Sequence, residues 1–492
     1  MTPTSPTSLR PYQNEARYQV NTLLNAGRHP VLVMPTGTGK TKTAVQIISD
    51  QIALHRRTWV LVPSTEVFGQ FLAEATSAGL SPGTIDQDGV KGRDRGVYIC
   101  MPLSLVNILS RIPESIHPDI IVVDDAHHSA ADTWEAIFRF FPRATRLGLT
   151  ATPRRTDRRP LAPHYTDIVQ TITMAEAIAA GYLARPLCIV PKQYHLDVSI
   201  KDGDYDPAEQ AQLLGEPQII GDVLGSYRDI FAGLPVLVAC STFDHANAMT
   251  AAFHKAGWKW AHIHSKLPDS DRKRMLREIR TGKLNGLCTV GIGIEGMDIP
   301  GLYGLIWLRR TLALTIYLQF VGRCLRPMPG KKYGVILDPV GNLFIHGFPE
   351  ADRVWTLEGI EPPDPDQAAP TMKECPFCGT YNATSNEVCH FCGRVIIGED
   401  AEAARKDKNQ RHLPAMVDGE LVAVTSDGMA QSLAEQAEKI RMESAALAEE
   451  EKRPKEKPSE ELLTSKEKAD ILREGLFANR RPLFREALEN LK

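Results

Sequence analysis

Between Arg10 and about Asp338, short apolar runs alternate with longer stretches of mixed polarity at helical spacing. Apolar runs of three to five residues, rich in β-branched side chains and bounded by polar turns, predict buried strands. One set covers residues 31–34, 59–62, 97–101, 120–123 and 147–149; a second covers 236–239, 260–264, 286–290, 304–308 and 334–337. Strands that alternate with helices argue for parallel sheets with helices on their faces. Each set is enough for one complete sheet, so the pattern predicts two similar α/β domains, 1–163 and 164–358, with residues 161–186 carrying the chain across.

After residue 358 the pattern changes. A Pro- and Asp-rich linker (359–372) leads to a small cysteine-rich module (373–396) and then to a tail (397–492) rich in Ala, Glu, Lys and Gln. Helices are expected at 429–452 and 465–480, with Pro454 and Pro458 between them. Such a tail reads as a solvated helical or partly disordered segment, or as an arm that binds a protein partner. With 43% hydrophobic and 24% charged residues among 492, the totals are those of a soluble globular protein. No run reaches the roughly 18 apolar residues of a membrane helix, and residues 1–8 lack a secretory pattern, so a cytoplasmic location without membrane contact is expected. The formal net charge of −3 confines any nucleic-acid surface to a local patch.

Candidate chemistry begins where the first strand runs into Met34-Pro35-Thr36-Gly37-Thr38-Gly39-Lys40-Thr41. Glycines let backbone N–H groups turn inward around phosphate oxygens, and a following helix adds its N-terminal dipole. Lys40 would neutralise phosphate charge and the Thr41 hydroxyl would ligate Mg²⁺. Met34 stands where the strict pattern has glycine. Ile120-Ile121-Val122-Val123-Asp124-Asp125 supplies a carboxylate pair at a strand end, Asp124 for the metal and Asp125 to orient or deprotonate the attacking water.

With these residues in place, the chain from about 9 to 340 resembles the superfamily 2 helicases of the DEAH-like branch. That resemblance implies two tandem RecA-like domains that cleave ATP. It makes Leu9-Arg10-Pro11-Tyr12-Gln13 the adenine-reading motif, with Arg10 and Gln13 at the nucleotide. Leu149-Thr150-Ala151-Thr152-Pro153 is similar to the motif coupling hydrolysis to domain movement. Gly293–Pro300 is similar to a second-domain motif, with Gly296 and Asp298 toward the nucleotide. The last motif, Gln319-Phe320-Val321-Gly322-Arg323-Cys324-Leu325-Arg326, sets two arginines on one helical face, able to reach the γ-phosphate from across a cleft. Asp125 departs from the family's usual glutamate. A shorter side chain that misplaces the water by about 1 Å can cost about 10²-fold in rate, so modest turnover is expected.

Cys375-Pro376-Phe377-Cys378 and Cys389-His390-Phe391-Cys392 are separated by ten residues. Two matched Cys-x-x-Cys turns suit four-sulfur tetrahedral Zn²⁺ in a closed structural site, which would fold a segment too short for its own core. A helicase core followed by this ribbon resembles the RadD-type bacterial proteins and similar phage helicases, which implies DNA maintenance or replication.

Nucleic-acid contacts are expected from Arg154 and Arg155, and from hydroxyls at Ser64, Ser104, Thr242 and Thr289, with Arg272, Lys273 and Arg274 as a further basic group. Hydroxyl and phosphate contacts of this kind grip without reading sequence. The expected function is therefore an ATP-dependent translocase or helicase on DNA in replication, recombination or repair. An RNA helicase, and a slow nucleotide-gated scaffold recruiting partners through ribbon and tail, are the alternatives.

Overall fold

The computed structural model describes residues 9–92, 95–128, 132–154, 159–191, 198–231, 233–291, 299, 301–328, 331–358, 372–374, 381–383, 387–388, 394–398 and 421–424. All ten expected strands form, within two residues of their expected limits, because apolar β-branched runs buried on both faces suit a parallel sheet covered by helices. The first sheet contains β1 (Pro30–Val33), β2 (Thr58–Leu61), β3 (Gly83–Asp86), β4 (Gly89–Lys91), β5 (Val97–Cys100), β6 (Ile120–Asp124), β7 (Thr145–Thr150) and β8 (Asp167–Val169). Its order is β4-β3-β5-β2-β6-β7-β1-β8, parallel except at the β3–β4 hairpin. Because β6, β7 and β1 are neighbours, the residues that follow all three emerge side by side at one edge.

The second sheet begins with β9 (Arg185–Pro191). A short hairpin follows, β10 (Ile200–Lys201) with β11 (Asp204–Tyr205), and then β12 (Val236–Cys240), β13 (Trp260–Ile263), β14 (Gly286–Val290), β15 (Gly304–Leu308) and β16 (Tyr333–Leu337). Its order is β13-β14-β12-β15-β16-β9, continued by a last strand from the tail. Beyond the linker, β17 (Met372–Glu374) pairs antiparallel with β18 (Tyr381–Ala383), and Val388 bridges Val395. The tail strand, β19 (Leu421–Val424), runs antiparallel to β9.

Two expected boundaries are corrected. The first sheet does not end by residue 163, because β8 pairs in parallel with β1; three residues of Asp-Ile-Val are too short a run to announce a strand. The second domain does not run intact to 358. Leu357 lends its carbonyl to the backbone N–H groups of Leu161 (2.8 Å) and Ala162 (3.0 Å), while Trp355 and Leu357 pack against the first domain's core. The tail, expected to be mainly helical, also contributes β19 to the second sheet. The tail helices expected at 429–452 and 465–480 lie outside the described residues. No helix among the described residues is long and apolar enough to cross a membrane.

Candidate active site between the two sheets

The phosphate loop leaves β1 and enters the helix Lys40–Ala53 through Gly39 at its N-cap. Gly37 and Gly39 both have φ of 89°, a left-handed conformation that glycine adopts at little cost. Within the loop, Thr38 donates its hydroxyl to the Pro35 carbonyl at 2.7 Å. The helix Pro11–Asn25 braces it from outside: the Tyr12 hydroxyl donates to the Thr38 carbonyl at 2.6 Å, and Gln13 Nε2 donates to the same carbonyl at 3.0 Å. Gln13 Oε1 accepts from the Arg10 backbone N–H at 2.8 Å. The Gln13 amide, expected at a nucleotide base, is therefore turned onto the loop in this structure. Arg10 lies over the Tyr182 ring, 4.4 Å from its centre, and donates to the Tyr12 hydroxyl at 3.2 Å.

Asp124 ends β6 and is buried, as is Asp125. Asp125 has a φ of 52°, a left-handed position that aspartate tolerates better than most residues. Lys40 Nζ lies 3.5 Å from Asp125 Oδ1. Burial, with the neighbouring Asp125 charge, pushes the Asp124 carboxyl above its ordinary range, and Lys40 and Arg323 pull it back. Asp124 Oδ1 is buried without a hydrogen-bond partner among the described residues. An orphaned carboxylate oxygen beside a lysine and a glycine-rich loop is a set of groups that a Mg²⁺-bound polyphosphate would satisfy.

The end of β7 joins this site to the second domain. Thr150 Oγ1 donates to the Thr152 carbonyl at 2.9 Å and lies 3.4 Å from His127 Nδ1. The Met34 N–H donates to the Thr150 carbonyl at 3.0 Å, tying that strand end to the phosphate loop. Two residues beyond Thr152, the Arg154 carbonyl accepts from Thr315 Oγ1 at 2.7 Å. Thr315 opens the helix Leu314–Cys324, which carries Gly322 and Arg323. A Cβ on Gly322 would sit 2.5 Å from Thr36 Cβ, and one on Gly37 would lie 3.4 Å from Arg326 Cγ and 3.1 Å from Leu183 Cδ2. The arginine helix is thus seated on the phosphate loop. Arg323 is buried and close enough to act on the Asp124 charge; burial also pulls the Arg326 guanidinium down to about 10.

The site therefore brings Arg10, Gln13, Thr36, Gly37, Thr38, Gly39, Lys40, Asp124, Asp125, Arg323 and Arg326 into one cleft, with Thr41 in the first turn of its helix. Tyr12, within the adenine-reading motif but not singled out there, belongs to it as well, as do Tyr182, Leu183 and Thr315, which no local motif announces. Gly296, Asp298 and Arg155 lie outside the described residues, as do Cys375, Cys378, Cys389 and Cys392. Among the described residues no group of three or more His, Cys, Asp or Glu side chains is placed to hold a metal ion.

The expected nucleic-acid residues divide. Ser64 Oγ accepts from the Val67 N–H at 3.3 Å and Thr242 Oγ1 from the His245 N–H at 3.2 Å, so both cap helices while remaining partly exposed. Ser104 is also partly exposed. Thr289 is a correction: it is fully buried within β14, where its hydroxyl cannot meet a phosphate backbone. Arg272 also differs from expectation. It forms an ion pair across the domains with Glu66 at 2.6 Å.

Residues 6–155 match the family described as "Type III restriction enzyme, res subunit", and residues 222–328 match "Helicase conserved C-terminal domain". The chain is similar to a "51.5 kDa protein" of a Lactococcus phage (isolate 7-9), 29% identical over 308 residues, covering 60% of this chain and 66% of the relative. It is also similar to the "DNA 3'-5' translocase XPB2" of Sulfurisphaera tokodaii, 28% identical over 181 residues, covering 36% of this chain and 38% of that protein. The chain thus spans less than two thirds of either relative. Among solved structures, an "ATP-dependent Type ISP restriction-modification enzyme LlaBIII bound to DNA" shares the fold, with a TM-score of 0.50, 17% identity, and coverage of 68% of this chain and 28% of that one.

Proposed function

The chain belongs to superfamily 2 of the helicases, and from that premise we propose that it is a DNA-stimulated ATPase that translocates on or remodels DNA with little sequence specificity. Helicase domains imply ATP and Mg²⁺. When bound, Mg-ATP would supply the phosphoryl group together with a divalent counter-charge for it. Lys40 would balance phosphate charge, Thr41 and Asp124 would hold the ion, and Asp125 would orient the attacking water. Arg323 and Arg326 stabilise charge on the transferred group only while the helix Leu314–Cys324 rests on the loop, so closure and hydrolysis depend on each other.

The observation that carries this reading is the seat of Gly322 on Thr36, which leaves the two halves of a divided ATP site in contact. DNA rather than RNA is favoured by the names of the Sulfurisphaera relative and of the DNA-bound structural neighbour. We also propose a Zn²⁺ ribbon. Its two Cys-x-x-Cys stretches fall, in sequence, between β17 and β18 and between the bridged Val388 and Val395, an arrangement suited to two metal knuckles. We propose the ribbon and tail as the segments that would recruit a protein partner.

The deciding experiment is ATP turnover with and without single-stranded, duplex and forked DNA, and with matched RNA, at stated salt. Stimulation by DNA above RNA is expected. Stimulation by RNA alone would make the chain an RNA helicase. No stimulation by either, together with normal biological activity of a Lys40→Ala protein, would make it a nucleotide-gated scaffold.

A further inference from the structure

Three successive carbonyls leave the end of the arginine helix, those of Cys324, Leu325 and Arg326, and each has a fixed partner. The Leu325 carbonyl accepts from the Ala184 N–H at 2.7 Å, next to the Leu183 side chain that meets the phosphate loop. The other two accept from one side chain, Lys331, whose ammonium donates to Cys324 O at 2.5 Å and Arg326 O at 3.3 Å. It also donates to Leu302 O, just before β15. A single, partly buried cation therefore ties the last turn of the helix, the backbone of the second arginine and the stretch before a central strand together. Helix C-termini carry partial negative charge and unsatisfied carbonyls, so an ammonium there is both a cap and a counter-charge.

We propose that Lys331 is a positioning residue for ATP hydrolysis, holding the backbone between Arg323 and Arg326 so that both guanidinium groups face the phosphate loop. It touches neither nucleotide nor reacting atoms. The inference rests on the reading of Arg323 and Arg326 as the second half of the ATP site. Three donors to three carbonyls require the ammonium, since a neutral amine keeps two hydrogens and loses its attraction for the helix end. Burial lowers the Lys331 ammonium to about 8. The groups facing it are the Cys324 thiol, which burial pushes up to about 12, the Arg326 guanidinium, and the Tyr303 ring 5.9 Å away. The positioning charge is thus present below that value and lost above it.

Four measurements test the proposal on the full chain. In nucleotide-free protein, hydrogen exchange should quicken in Lys331→Met over residues 321–326 and stay unchanged in the first sheet. Its kcat should fall roughly 10- to 100-fold with KM for ATP nearly constant, the size expected of a misplacement of about 1 Å. Lys331→Arg, which keeps a cation, should recover kcat to within about threefold of wild type. Wild-type turnover should decline as pH rises past about 8, and that decline should move upward in Lys331→Arg. The proposal is overturned if Lys331→Met turns over ATP normally, or if its faster exchange spreads over the whole domain. Should Lys331→Met not fold, a wild-type profile flat to about pH 9.5 overturns it without any variant. If Arg323→Ala and Arg326→Ala both leave turnover unchanged, the reading of the divided site fails and this inference falls with it. If those variants are inactive and Lys331→Met is not, the inference alone fails.

Discussion

Gly322→Ala isolates the contact between the two halves of the site. The added methyl would sit 2.5 Å from Thr36 Cβ, 3.0 Å from its Cγ2 and 3.2 Å from its Oγ1. Carbon atoms rest at about 3.5–4.0 Å, so the helix Leu314–Cys324 must retreat by roughly 1 Å. Stability should change little. Alanine favours a helix interior over glycine by roughly 0.5–1 kcal/mol, which offsets part of the about 1–3 kcal/mol that overpacking costs. Catalysis should change far more, because withdrawing both arginines by about 1 Å costs on the order of 10²-fold in rate. Nucleotide affinity should hold within a few-fold, since Lys40, Thr41 and Asp124 all stand on the first sheet's side. The assay is steady-state ATP hydrolysis at saturating single-stranded DNA, alongside equilibrium binding of a fluorescent ATP analogue and a thermal melt. A folded Gly322→Ala protein with kcat within threefold of wild type would refute the idea that this contact is the catalytic arrangement.

Other perturbations probe separate parts. Asp125→Glu should preserve or raise turnover by restoring reach toward the water, while lowering the melting temperature slightly, since the residue sits at a φ of 52°; a fall in kcat would show that aspartate is not merely a weaker substitute. Glu66→Arg and Arg272→Glu should each reduce DNA-stimulated turnover by roughly tenfold or less through loss of the cross-domain pair, and the double reversal should regain most of it; equal loss in all three would exclude a direct pairing role. Metal analysis of purified protein should find about one Zn²⁺ per chain, removed by Cys375→Ser with Cys378→Ser; zinc-free protein would end the ribbon reading.

What could be read from the chain alone follows how local each signal is. The ten strands were legible because each is a short run dominated by apolar residues. Among those missed, Gly83–Asp86 is half polar, Asp167–Val169 is three residues long and Arg185–Pro191 begins with Arg-Pro, while Leu421–Val424 is apolar throughout but stands alone in a charged tail. Lys40, Asp124, Arg323 and Arg326 were legible because their neighbours in sequence are also their neighbours in space. Leu183, Thr315 and Lys331 were not, since none stands in a motif and each acts on groups of another segment. Thr289 misled for the opposite reason: a hydroxyl near a motif looks available, yet its place inside β14 encloses it. Arg272 looked like a phosphate contact because its sequence surroundings are basic, and only the fold brings Glu66 to meet it.

The strand lent by the tail has a practical consequence. Without Leu421–Val424 the outer strand of the second sheet would be β9, whose Leu187, Cys188, Ile189 and Val190 form a continuous apolar run. An open edge of that kind is a template for pairing between molecules. Chains shortened before residue 421 should therefore self-associate and precipitate while their ATP-binding half remains intact, and loss of activity in such truncations would report aggregation rather than a role for the missing residues in the chemistry.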